Sequence, residues 1–185
     1  MNGLVERHRR ACDGFGRVAD VLRDDQWDAR TPCTDWDARA VVEHVIGFHE
    51  FLLLRPLGLR AQRPKTGPAA RWHATAAALF DALGAEEALD RETSLPGGGT
   101  SSPRTMLGAL TVDVLVHTWD LARAGGIDPE LDPGACAAAY DAVVATGIGA
   151  GPASDLYAAA VSVPGTPDAV TRLVARCGRD PAWSA

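Results

Sequence analysis

The segment Leu110 to Leu121 reads LTVDVLVHTWDL. Asp113 and His117 stand four residues apart in it, so a helix there would place a carboxylate and an imidazole one turn apart on one face. Leu110, Val114 and Leu121 share that face and point it toward a core. An ionised carboxylate among leucines is costly unless a partner compensates it. A second inward imidazole is His44, which shares an apolar stripe with Val41, Val45, Phe48 and Leu52. Two imidazoles and one carboxylate form a donor set that suits zinc, nickel or ferrous iron. On the residues alone three readings stay open. They are one metal centre, a core histidine at 44 satisfied by a hydrogen bond, and a self-contained Asp113–His117 pair, because spacing along a chain does not bring two helices together.

The elements that would carry these residues are helical. Leu4, His8, Ala11, Phe15, Val18 and Leu22 recur at steps of four and three, predicting a first helix that ends near Asp24-Asp25. Thr31-Pro32 interrupts the pattern. A second helix is predicted from Thr34 or Asp35, with Thr34 and Asp37 as a capping box, and it stops before Pro56. After a polar crossover a third helix is expected over Ala69 to Leu83, carrying Trp72, Ala76, Leu79 and Phe80 on one side. The stretch SLPGGGTSSP, Ser94 to Pro103, reads as a loop. A long helix then runs from Pro103 to about Ala124, with Gly125-Gly126 as its stop. Further helices are expected over Asp132 to Thr146 and Pro167 to Cys177, with a short strand at Ala160 to Val163. The predicted class is all-α, a single four-helix bundle domain over residues 1–185 with additional C-terminal helices and at most one short strand pair.

Composition narrows the function classes. A hydrophobic fraction of 46% and a charged fraction of 23% fit a soluble globular chain. The net charge of -6, with basic residues scattered among acidic ones, speaks against binding to nucleic acid or anionic lipid. Seventeen of the 18 basic residues are arginine and only Lys65 is lysine, as a coding bias toward G and C would give. The first thirteen residues carry Glu6, Arg7, Arg9, Arg10 and Asp13 and no apolar run, so no secretory signal is expected, nor is any membrane span. Cys12, Cys33, Cys136 and Cys177 form no CxxC pair, and free thiols in a reducing cytoplasm are the expectation.

Three blocks resemble a known family: TPCTDWDARAVVEHVIG from Thr31 to Gly47, DVLVHTWDLARAGG from Asp113 to Gly126, and VPGTPDAVTRLVARCGRDPAW from Val163 to Trp183. The sequence resembles the DinB-like metal-binding bundles, in the branch of mycothiol-dependent maleylpyruvate isomerase. The resemblance implies metal ligands at His44, Asp113 and His117, where Asp113 stands in place of the glutamate usual in the isomerase. It further implies a divalent metal, zinc first and nickel or iron next, with mycothiol as thiol cosubstrate. The isomerase itself has an additional C-terminal domain, so maleylpyruvate is not the expected substrate here. The function expected from the resemblance is a metal- and thiol-dependent isomerase or S-transferase acting on a small electrophile. A metal-dependent hydrolase and a non-catalytic metal or small-ligand binding protein are the alternatives, and a homodimer is the expected assembly.

The remaining chemistry-bearing residues are placed as follows. His8 lies on the first helix's apolar stripe, where it is a structural histidine or a lining residue of the cavity. His49 is five residues beyond His44, roughly 140° around an ideal helix, and should not face the same ion. His73 is expected at the periphery. Trp36 is expected to pack the start of the second helix and fix the approach of His44. Cys33 reads as a small buried cysteine or a thiol activated at a helix start. Asp120 is expected to pair with Arg123 or Arg39.

Overall fold

The computed structural model describes residues 3–94, 98–147 and 158–184. Four helices form the bundle: α1 (Gly3–Val21), α2 (Ala38–His49), α3 (Pro68–Ala82) and α5 (Pro103–Gly125). Helix α1 packs on α3 and α5, and α2 packs on the same two, so α1 and α2 oppose each other across the diagonal. Short helix α4 (Glu86–Leu89) and an antiparallel pair, β1 (Thr93–Ser94) with β2 (Thr100–Ser101), close the connection before α5. Helices α6 (Pro133–Ala145) and α7 (Ala169–Arg176) pack on each other and on α5. The mostly helical class and the extra C-terminal helices agree with the pattern in the sequence.

Helix α5 is the central element. It buries Leu107, Leu110, Val114, Val116 and Leu121 together with the polar residues Asp113, His117, Thr118 and Asp120. Pro103 opens it, and Gly126 closes it in the left-handed conformation at φ 63°, which a glycine adopts without steric cost. The core around it holds Phe15, Val41, Val45, Leu53, Trp72 and Leu79, all essentially inaccessible to water.

Three details differ from the sequence-based expectations. Helix α2 begins at Ala38, not at Thr34 or Asp35, because residues before it form a folded loop. In that loop the Trp36 amide bonds the Cys33 carbonyl at 2.9 Å and Ala38 bonds back to Ala29 at 3.0 Å. Thr34 is therefore no cap; Asp37 is, accepting from the Ala40 amide at 2.7 Å. Residues 160–163 form no strand: Val161 bonds the Ala175 carbonyl at 2.8 Å as an isolated contact with the α7 end. The strand pair lies instead at the two ends of the Ser94 to Pro103 stretch, of which residues 95–97 lie outside the described residues. Asp37→Ala should cost about 1 kcal/mol in chemical denaturation, the usual loss for an N-cap acceptor, and no change in stability would show that the cap is not needed.

Past His49 the α2 axis continues as a π-helical turn, Glu50–Leu54, in which the Arg55 amide reaches the Glu50 carbonyl at 2.8 Å. The buried Glu50 carboxylate there is held by Arg63 at 2.7 Å. The wider turn lets the chain keep Leu53 and Leu54 in the core while ending the helix before Pro56.

Candidate metal centre

Helices α2 and α5 bring His44, Asp113 and His117 together. One ligand-type atom from each lies within 4.8 Å of the others. Asp113 Oδ1 is 3.3 Å from His44 Nε2 and 3.5 Å from His117 Nε2. Tetrahedral ligands at bond lengths near 2.0–2.2 Å lie about 3.3–3.6 Å apart, so these separations need little adjustment around a common ion. The second carboxylate oxygen, Asp113 Oδ2, is buried with no hydrogen-bond partner among the described residues. A buried, unpartnered anionic oxygen beside two imidazoles is a donor set waiting for a cation, and the residues fit a divalent metal. The side chains of Asp113 and His117 are 10% and 6% exposed, whereas His44 keeps 19% and forms the outer edge.

His117 is oriented from behind. Its Nδ1 bonds Asp120 Oδ2 at 2.9 Å, which leaves Nε2 facing Asp113. Asp120 has no exposed side-chain surface and pairs with Arg179, not with Arg123 or Arg39 as the sequence suggested. Arg179 meets it as a fork, Nε to Oδ1 at 3.2 Å and Nη2 to Oδ2 at 2.8 Å, and its Nη1 donates to the Cys177 carbonyl at 2.9 Å. Arg123 stacks over Trp119 instead. The main chain makes this reach possible. After α7, Gly178 turns at φ 82° and the Arg179 amide bonds the Val174 carbonyl at 2.9 Å, so the side chain is turned inward.

The charges follow from this geometry. Burial opposes ionisation of Asp113, but the two imidazoles outweigh it and hold the carboxyl well below the usual carboxylate range. Burial likewise opposes a charge on His117, yet Asp113 and Asp120 lift it to about 9. In the metal-free chain a proton on His117 therefore does part of what a cation would do. Asp120 is held down against its burial by His117 and Arg179.

Trp36 covers the centre. Its ring lies 4.4 Å from His44 and 5.6 Å from His117, centroid to centroid, while Phe48 meets His44 in a tilted contact at 4.4 Å. Thr31 fixes the loop that carries Trp36, accepting from the Cys33 amide at 3.1 Å and donating to the Trp36 carbonyl at 2.8 Å. Cys33 is half-buried in that loop, and burial pushes its thiol up, the opposite of activation. His8 and His49 do not join the centre and meet each other in the bundle interior, as detailed below. His73 is at the surface on Asp20, 2.8 Å away. The sequence patterns missed Arg179 altogether; an arginine after a helix-stopping glycine carries no sign that it turns inward. A cleft of about 800 Å³ lined by Trp119, Arg123, Asp168 and Trp183 contains none of His44, Asp113 and His117.

The family model described as the mycothiol maleylpyruvate isomerase N-terminal domain matches residues 8–122, more than half of the chain. The chain belongs to this family. The match runs from His8 on α1 to Ala122 in the last turn of α5 and so includes His44, Asp113 and His117, while Arg179 lies beyond it. Among curated proteins, the family member described here is 34% identical over 132 residues to two uncharacterized proteins of Mycobacterium tuberculosis. They are Rv0738 of strain H37Rv and MT0763 of strain CDC 1551, with 68% of this chain and 69% of each relative covered. No solved structure matches the chain. No helix among the described residues is long and apolar enough to cross a membrane.

Proposed function

We infer that this family member is a divalent-metal enzyme that uses a low-molecular-weight thiol of the mycothiol type on a small electrophile, by isomerisation or S-transfer. The observation that carries the metal part is Asp113, with one oxygen between two imidazoles and the other buried without a partner. The thiol part is supported by the family, whose description names mycothiol. His44, Asp113 and His117 would hold the ion, zinc by its fit to two nitrogens and one oxygen, with nickel or iron as the other candidates. Three protein ligands leave a coordination position open, and a divalent cation with such a position lowers the pKa of a bound thiol or water toward neutrality.

The chain's own residues prepare that position. Asp120 keeps the His117 Nδ1 proton in place so that Nε2 stays available. Arg179 holds Asp120 ionised and rigid. Trp36 and Phe48 both pack against the His44 ring and limit its exposure to water. The four cysteines are free thiols, in keeping with a reducing cytoplasmic setting where such a cosubstrate would be found.

The test is turnover by zinc-loaded protein with mycothiol and a panel of electrophiles that includes cis-configured unsaturated acids and activated halides. Thiol-dependent turnover that disappears in His117→Ala is the expected result. Turnover without thiol would make the protein a hydrolase instead, and tight metal binding without any turnover would make it a binding protein. Thiol-dependent turnover unchanged in His117→Ala would overturn the mechanism.

A further inference from the structure

A second group of donors lies in the bundle interior, apart from the centre above. His8 and Cys12 are one turn apart on α1, and His49 ends α2 across the diagonal. All three are buried, with 0–1% of their surface exposed. His8 Nε2 is 3.1 Å from His49 Nε2 and 3.5 Å from Cys12 Sγ. Phe80 and Trp72 wall the group, at centroid distances of 5.9 Å from His8 and 5.3 Å from His49.

The hydrogen bonds fix both tautomers. His49 Nδ1 lies 2.6 Å from the Val45 carbonyl, which can only accept, so Nδ1 carries the proton. Thr111 gives its hydroxyl proton to the Leu107 carbonyl at 2.6 Å, so it accepts from His8 Nδ1 at 3.0 Å. In neutral rings both Nε2 atoms are then bare, and their lone pairs face each other at 3.1 Å. Burial lowers the pKa of both rings, which works against filling the gap with a proton. The Cys12 S–H can donate to one nitrogen and leaves the other unsatisfied. The Trp72 indole N–H is engaged with the Cys12 carbonyl at 3.3 Å and cannot serve.

We propose that His8, Cys12 and His49 form a second metal site, for a soft d¹⁰ cation, with copper(I) the best match. A cation among Nε2, Nε2 and Sγ satisfies all three lone pairs at once. Tetrahedral or trigonal nitrogen ligands at about 2.0–2.1 Å stand about 3.3–3.6 Å apart, so the 3.1 Å between the two Nε2 atoms opens by a few tenths of an ångström around an ion, while the 3.5 Å to Cys12 Sγ already suits one. Thiolate and imidazole select soft ions. Charge then separates the candidates. One thiolate with copper(I) sums to zero, whereas with zinc it leaves a net positive charge in a core walled by Trp72 and Phe80, where an uncompensated charge is costly. On binding, the S–H bond of Cys12 breaks, its proton leaves to solvent, and the sulfur electron pair forms the bond to the cation; no electron is transferred. The ion would link α1 to α2 across the diagonal, where those helices have few other contacts.

The experiment is anaerobic titration of the full chain with copper(I) against a chromogenic chelator, in the parent and in a His117→Ala background that removes the first centre. One tight equivalent is expected in both, and Cys12→Ser should weaken it by more than about 100-fold, beyond the 10–100-fold typical of outer-sphere changes. Cys33→Ser should leave it intact. Should Cys12→Ser fail to fold by circular dichroism, copper-edge X-ray absorption on the His117→Ala protein decides, with one sulfur and two nitrogen scatterers expected. A nitrogen- and oxygen-only shell, equal affinity in parent and Cys12→Ser, or no uptake by the folded parent overturns the site. None of these outcomes bears on the His44 centre, whose test is thiol-dependent turnover.

Discussion

Replacing Arg179 by alanine should destabilise the fold by about 3–5 kcal/mol, the usual cost of removing one partner of a buried ion pair. Asp120 has no exposed side-chain surface and takes both arms of the guanidinium fork, so without Arg179 its buried charge would be left with His117 as its remaining partner and no water. Arg179→Lys should recover only part of the loss, since a point charge cannot reproduce two parallel hydrogen bonds. Arg179→Met combined with Asp120→Asn should be milder than Arg179→Ala alone, because neither member then carries an unpaired charge. Urea denaturation of the three variants reads these differences. The same substitution should also loosen metal binding at His117, by 10–100-fold where an outer-sphere carboxylate is disturbed. A loss below about 1 kcal/mol, the range of exposed pairs, would mean that the pair is not structural.

The cluster of His44, Asp113 and His117 was legible because its members sit on regular helices. An i, i+4 carboxylate and imidazole on an apolar stripe must point inward together, and His44 sits on the inward stripe of α2 by the same logic. What the pattern could not supply was the pairing of α2 with α5, which follows from the closed ring of four helices. His8 and Cys12 stand at the same i, i+4 spacing on α1, but nothing in the chain order joins them to a third donor, because that donor is His49 on another helix. The offset of His49 from His44 correctly separated it from the first centre and gave no hint of where it would go instead. Loops were less legible still. The Thr34 to Asp37 segment looked like the start of a helix, but side-chain bonds from Thr31 and Asp37 hold it as a turn that lays Trp36 against His44 and His117. Arg179 was invisible for a related reason: its inward course depends on the left-handed glycine before it and on the packing of α7 against the bundle.

Loading the first centre with zinc should stabilise the protein strongly, and the effect should be isolated in a Cys12→Ser background. A ligand that binds only the folded chain adds about 4.1 kcal/mol when present at 1,000 times its dissociation constant. His117→Ala should abolish this increment, and Asp113→Asn should reduce it, because a neutral amide keeps the shape but loses the anionic oxygen pair. A chelator should return the protein to the metal-free midpoint. The dependence on pH has a definite sign. Burial opposes the His117 charge, but Asp113 and Asp120 raise its pKa from 6.5 to about 9 in the folded metal-free chain. A group raised on folding gives stability that is complete below about 6.5 and is lost as pH climbs through about 9. Zinc needs the same nitrogen unprotonated, so its affinity improves over that interval, by up to about tenfold or 1.4 kcal/mol per pH unit. The difference in stability between zinc-loaded and metal-free protein should therefore widen from pH 6.5 to 9 and level off above. A difference that is flat or narrows over that window would show that the cation does not compete with the His117 proton, and the ligand assignment would fall with it.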